Sequence, residues 1–98
     1  MPWHLYVLRC ADGSLYCGIT NDLPRRFAQH ERGTGARYTR GRGPLKLVKA
    51  WPSVSQSAAL KAEHAFKQLP RPAKDQKLQS RARQDPISRL LRGETMEN

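Results

Sequence analysis

Two short runs decide the reading: Trp3-His4-Leu5-Tyr6-Val7-Leu8-Arg9 and Leu15-Tyr16-Cys17-Gly18-Ile19-Thr20, with Ala11-Asp12-Gly13 between them. Both runs are rich in aromatic and aliphatic residues and the link is made of turn formers, the pattern of a β-hairpin. The length of the turn sets which side chains share a face. A two-residue Asp-Gly turn would set Tyr16 opposite Arg9 and put Tyr6 and Tyr16 on opposite faces. A three-residue loop with Gly13 in the left-handed conformation instead pairs residue 8 with 16 and 6 with 18, so that Tyr6, Tyr16 and Gly18 share one face. A common site requires that second register, and Gly13 suits it. Gly18, which has no side chain, is expected to leave room for a substrate backbone or a packed helix beside the tyrosines. The plainer reading makes both tyrosines amphipathic core residues and Gly18 a bulge.

Outward from the hairpin, Thr20-Asn21-Asp22 supplies a helix cap and Pro24 fits a first helical turn. The stripe Leu23, Phe27 and the stop at Gly33 predict a helix over residues 22–32. Residues 32–44 (RGTGARYTRGRGP) read as a flexible, arginine-rich loop. Leu45 to Trp51 reads as a third strand ended by Pro52, and Ser53 with Gln56 as a capping box before a helix over 55–69. That helix carries the stripe Ala62, Ala65, Phe66, Leu69. Pro70 and Pro72 precede a basic helix over 72–83, and Asp85-Pro86 cap a last turn with Ile87, Leu90 and Leu91. The order β-β-α-β-α-α describes an α/β (α+β) domain on a small, mostly antiparallel three-stranded sheet. Residues 1–83 are read as the domain and 84–98 as a short C-terminal extension.

Composition narrows the partners. The chain has 98 residues, with 18 Lys plus Arg against 8 Asp plus Glu, a formal net charge of +10. This length suits one domain with a modest core that buries roughly 60–70 % of the unfolded surface. Such a basic balance on a small domain points to an anionic polymer, nucleic acid above all, with a membrane surface or simple solubility as alternatives. No apolar stretch approaches the ~20 residues of a membrane span. The start MPWHLYVLRC lacks the layout of a signal peptide, so a cytoplasmic location is expected. Cys10 and Cys17, with His4, His30 and His64, do not complete a zinc set or a disulfide framework.

The ordered set His4-Leu5-Tyr6, Tyr16-Cys17-Gly18, Arg26-x-x-x-His30 and a helical Glu63 resembles the GIY-YIG nuclease superfamily, in particular its small stand-alone bacterial members. The first triplet stands in the Gly-Ile-Tyr place and the second in the Tyr-Ile-Gly place, and the resemblance runs from about residue 3 to about residue 80. It implies a metal-dependent endonuclease-like protein that hydrolyses phosphodiester bonds in DNA, structured or damaged DNA among its substrates. In that reading Tyr6, assisted by Tyr16, accepts a proton from the attacking water, and Arg26 binds the phosphate as charge develops. Glu63 would hold Mg²⁺ or Mn²⁺, since one carboxylate with water and substrate phosphate can suffice for a hard cation. The other acids are poorly placed to make a second metal site: Asp12 is in the turn, Asp22 caps a helix, Glu31 lies in a basic face, and Asp75, Asp85, Glu94 and Glu97 are late.

Each residue also has a plainer reading. Arg26 and His30 share a helical face with Leu23 and Phe27. Arg26 held against a sheet suits two-pronged phosphate contact. His30 is either a structural histidine or a group that bonds a phosphate oxygen or assists proton transfer. Glu63 is otherwise half of a surface i,i+4 pair with Lys67. Arg37, Arg40 and Arg42 give salt-dependent phosphate affinity, and Tyr38 is expected to stack on an exposed base, unless the loop is merely solvated. Lys67, Arg71, Lys74, Lys77, Arg81 and Arg83 extend that footprint or coat a helix. Two departures stand out: His4 replaces the first Gly of the family triplet, and the late Asn of many active members is missing before Asn98. The second keeps a rival open, a non-catalytic DNA- or RNA-binding module on the same scaffold. No recognition domain is read, so specificity is expected to be low or supplied by a partner, and the oligomeric state is left open.

Overall fold

The hairpin forms in the three-residue register. In the computed structural model, which describes residues 2–94, the Gly13 N–H donates to the Cys10 carbonyl and the Cys10 N–H to the Ser14 carbonyl, both at 2.9 Å. Gly13 takes φ +86°, a conformation that strains any residue with a Cβ. Strand β1 (Trp3–Arg9) therefore pairs with β2 (Leu15–Thr20) so that Tyr6 faces Gly18 and Leu8 faces Tyr16. Strand β3 (Lys46–Ser53) adds antiparallel to the other side of β1, giving the order β2-β1-β3. Pro52 does not end this strand; it pairs with His4. β3 is an edge strand, where a residue without an N–H removes no ladder bond from a further neighbour.

Helix α1 (Leu23–Glu31) starts at Asp22, whose side chain accepts from the Arg25 N–H. Helix α2 (Gln56–Gln68) is capped by Ser55, which accepts from Ala58, and not by a Ser53–Gln56 box. With Pro52 still in the strand, Ser53 is its last residue, and its hydroxyl donates to the Ser55 carbonyl instead. Helices α3 (Arg71–Gln79) and α4 (Pro86–Leu91) follow, the latter capped by Asp85.

Alternation along β1 divides the core into two layers. Leu5, Val7 and Cys17 pack with Ala62 and Phe66 of α2, Leu78 of α3, and Ile87 and Leu91 of α4. On the other face Tyr6, Leu8, Cys10 and Leu45 meet Tyr16 together with Leu23 and Phe27 of α1. Fully burying a Leu, Ile or Phe side chain stabilises by roughly 1.5–3 kcal/mol, so α4, within the stretch set apart above as an extension, adds materially to the first layer. A polar tie reinforces it: buried Lys77 donates to Asp85 at 2.8 Å and to the Ser88 hydroxyl at 2.7 Å. Lys77 is thus neither a surface coat nor free to meet a phosphate. Met1 and residues 95–98, with Glu97 and Asn98, lie outside the described residues.

Candidate active site

Tyr6 is only 1 % exposed, with its ring laid across β2 at Gly18. A Cβ built on Gly18 would stand 2.6 Å from the Tyr6 hydroxyl oxygen and 2.8 Å from Cζ. The space at Gly18 is therefore filled by Tyr6 itself, not by a substrate backbone or a helix. The reason lies in the register: Gly18 is the direct cross-strand partner of Tyr6, and only a residue without a side chain lets a tyrosine lie down across its neighbour.

The hydroxyl of Tyr6 ends 2.8 Å from Nε2 of His30, the buried residue of α1. Burial, with the Arg26 charge beside it, pushes the His30 pKa down to about 4, so the ring is neutral at pH 7 and hydrogen-bonds the Tyr6 hydroxyl through Nε2. The Ala36 N–H lies 3.3 Å from its other nitrogen, Nδ1. The Thr39 hydroxyl, also buried, stands 2.9 Å from Nδ1 and 3.0 Å from the Ala36 carbonyl, completing the ring's surroundings. Gly35 makes this approach feasible, since a Cβ there would lie 2.6 Å from Nδ1 and 2.9 Å from the His30 Cα.

Arg26 lies one turn before His30, half-buried, with Nη1 donating to Gln29 at 3.1 Å. Its guanidinium stands against the Tyr6 and Tyr16 hydroxyls; the Tyr6 contact leads the causes that raise its pKa, against the pull of burial. Burial dominates for Tyr6 itself and pushes its hydroxyl up to about 12 in spite of Arg26. Tyr16 is the more accessible phenol, half-exposed, with its ring 6.3 Å from Tyr6 and 5.0 Å from His30. Four of the expected residues, Tyr6, Tyr16, Arg26 and His30, thus meet in one cluster.

The arginine-rich segment is more ordered than its glycines suggest. A 3₁₀ turn over Arg37–Thr39 buries Thr39 against His30 and stacks Tyr38 on Tyr16, ring centroids 5.9 Å apart. The Arg42 guanidinium also stands over the Tyr38 ring, 4.6 Å from its centroid. Tyr38 nevertheless stays 43 % exposed. Arg37 and Arg40 make no ion pair among the described residues, whereas Arg42 pairs with Asp12.

Glu63 lies on α2, which packs on the sheet face opposite Tyr6, and it stands beside Cys17 of the edge strand β2 that also carries Tyr16. Its carboxylate pairs with Lys67 at 3.4 Å and neighbours Cys17 on β2 closely enough to raise the thiol's pKa, second to burial. No hydrogen bond or ion pair joins Glu63 to the cluster, and no group of three His, Cys, Asp or Glu side chains suited to a metal occurs among the described residues. The donor set fits a hard divalent cation only in the sparse form, one carboxylate oxygen with water and substrate phosphate, once Lys67 gives way. Sequence reasoning missed Gly35, Ala36 and Thr39, which shape the His30 pocket. Their signal is a position in an irregular loop with no periodicity to read.

Residues 2–79 match the family described as the GIY-YIG catalytic domain. A UPF0213 protein of Xanthomonas axonopodis pv. citri is 52 % identical over 82 residues, 84 % of this chain and 80 % of that one. A second, from Vibrio cholerae, is 48 % identical over 87 residues, 88 % of this chain and 86 % of the relative. Among solved structures, the solution NMR structure of a UPF0213 protein from Bacillus halodurans superposes with a TM-score of 0.56 at 41 % identity, covering 90 % of this chain and 92 % of that one. A solution NMR structure of a protein from E. faecalis gives a TM-score of 0.58 at 42 % identity, covering 80 % and 83 %. With the Tyr6–Gly18 register, the Arg26–His30 helix face and these matches in agreement, the chain belongs to the GIY-YIG nuclease family, among its small single-domain UPF0213 relatives.

Proposed function

We propose that the protein is a divalent-metal-dependent endonuclease that hydrolyses phosphodiester bonds in DNA, structured or damaged DNA included, and works in the cytoplasm. The observation that supports it most is the Tyr6–His30–Arg26 arrangement, a buried phenol fixed by a neutral imidazole beside a guanidinium that keeps an accessible phenol, Tyr16, on its other side. Family membership supports a nucleic-acid substrate, and the +10 charge agrees with it.

Burial exchanges the roles expected of the two tyrosines. Tyr6, closed off from solvent and with its hydroxyl at about 12, keeps its proton at neutral pH and serves as a positioning residue. Tyr16, half-exposed, is the phenol that meets the attacking water and takes its proton, with the Arg26 guanidinium beside its hydroxyl. Arg26 binds the phosphate and stabilises the charge that builds on it, a term worth several kcal/mol in a pre-organised site, ~2.7–4 kcal/mol per donor in the best-measured case. Glu63 would hold Mg²⁺ or Mn²⁺, which when bound polarises the phosphate and steadies the leaving oxygen.

The rival is a non-catalytic DNA- or RNA-binding module, favoured by one observation: Glu63 is tied to Lys67, and no group of three metal-suited side chains occurs among the described residues. The test is a cleavage assay on duplex, single-stranded and branched DNA and RNA with Mn²⁺, Mg²⁺ or chelator. Metal-dependent products support the enzyme. A folded protein that binds the panel and cuts none of it, manganese present, supports the binder.

A further inference from the structure

Arg42 is held between two partners. Its guanidinium stands over the Tyr38 ring, 4.6 Å from the centroid, and Nη1 donates to Oδ2 of Asp12 in the β1–β2 turn. The same ring neighbours Tyr16, centroids 5.9 Å apart. Asp12 is pre-set for this role, because its other oxygen accepts from the Ser14 N–H at 3.0 Å and the Ser14 hydroxyl at 2.6 Å, leaving Oδ2 for Arg42. The loop does not depend on the side-chain pair for its place, since the Ala11 N–H donates to the Arg42 carbonyl at 2.8 Å. The side chains of Arg42 and Asp12 are 40 % and 51 % exposed, a setting in which ion pairs contribute little and competing anions have free access.

A guanidinium is built for two-pronged contact with a phosphate. A carboxylate held on one prong of that fork occupies a donor a phosphate would use, and it repels any phosphate that approaches. We infer that Asp12 is a resident anion for Arg42 in the free protein and that a nucleic-acid phosphodiester displaces it. In that exchange Arg42 leaves Asp12 for the phosphate, and the part of the Tyr38 ring that it covers is released. No bond is made or broken; one anion replaces another on the same cation. The inference rests on the nucleic-acid reading of this surface, not on cleavage.

The test uses the full chain in chelator and a fluorescently labelled oligodeoxynucleotide, titrated at low salt. Asp12→Asn removes the charge but keeps the turn, because an Asn side-chain oxygen still accepts from Ser14. The control is Glu94→Gln, which neutralises the comparably exposed Arg92–Glu94 pair beyond α4. Asp12→Asn should tighten binding by roughly three- to fivefold more than the control does. In an Arg42→Gln background the same substitution should gain less than roughly twofold, since Asp12 then has no arginine to occupy. The Arg42 Nε–Hε NMR signal should shift on titration with the oligonucleotide. Equal gains from Asp12→Asn and Glu94→Gln, or a gain that persists without Arg42, would overturn the exchange and leave only general repulsion. Binding by neither wild type nor Asp12→Asn would overturn the nucleic-acid reading as well.

Discussion

Replacing Gly18 with Ala adds one methyl group, and the structure assigns it a definite cost. In a strand with open space, Gly→Ala stabilises by roughly 0.4–1 kcal/mol through the unfolded chain. Here the new Cβ would stand 2.6 Å from the Tyr6 oxygen and 2.8 Å from Cζ, closer than real Cβ contacts. The Tyr6 ring must shift, and in shifting it breaks its 2.8 Å hydrogen bond with His30 Nε2. Overpacking costs ~1–3 kcal/mol, and a buried polar group left unpaired costs a similar ~1–3 kcal/mol. A net loss of ~2–4 kcal/mol is expected, measured by urea unfolding of variant and wild type. A double-mutant cycle isolates the cause. In a Tyr6→Leu background the struck atoms are gone, and Gly18→Ala should cost less than ~0.5 kcal/mol. A neutral or stabilising Gly18→Ala in the wild type, or the full cost in the Tyr6→Leu background, would refute the account of how Tyr6 is seated.

His30, neutral when folded with a pKa of about 4 against the ordinary 6.5, binds its proton more readily in the unfolded chain. Its contribution is therefore full above about pH 6.5 and lost as pH falls towards 4, up to about 3 kcal/mol, a loss that urea unfolding across pH should show and that His30→Gln should diminish. Neutralising Arg37 and Arg40 together should reduce the slope of log K against log salt for DNA binding by about two, since neither has an ion-pair partner among the described residues. Unchanged slopes would assign both to a solvated loop. Glu63→Gln should abolish metal-dependent cleavage and leave DNA affinity within a few-fold, read by parallel cleavage and binding titrations.

What was legible in the sequence was what local chemistry determines. Gly13, the turn glycine, sets the hairpin register, and from it the common face of Tyr6, Tyr16 and Gly18 follows. The Arg26–His30 spacing likewise placed both on the helix face that meets those tyrosines. The misreadings came from contacts between distant segments. Pro52 reads as a stop unless the strand is known to be an edge, and that error moved the α2 cap from Ser55 to Ser53. The Arg32–Gly43 stretch reads as loose because Thr39 and Gly35 acquire their role only against His30, which lies on another element. Lys77 looks like one more surface cation until Asp85 and Ser88 are folded back onto it. The burial that separates Tyr6 from Tyr16 is a property of the assembled cluster; both are tyrosines in strands.

The central claim is that this cluster acts on a phosphodiester bond, and Arg26→Ala tests it most directly. Single-turnover cleavage of the best substrate on the panel, with manganese, should slow by at least ~10²-fold, the scale of a lost charge-stabilising donor. DNA affinity measured in chelator should stay within a few-fold. Cleavage by Arg26→Ala at the wild-type rate, or a folded wild type that cuts nothing on the panel, would contradict the claim.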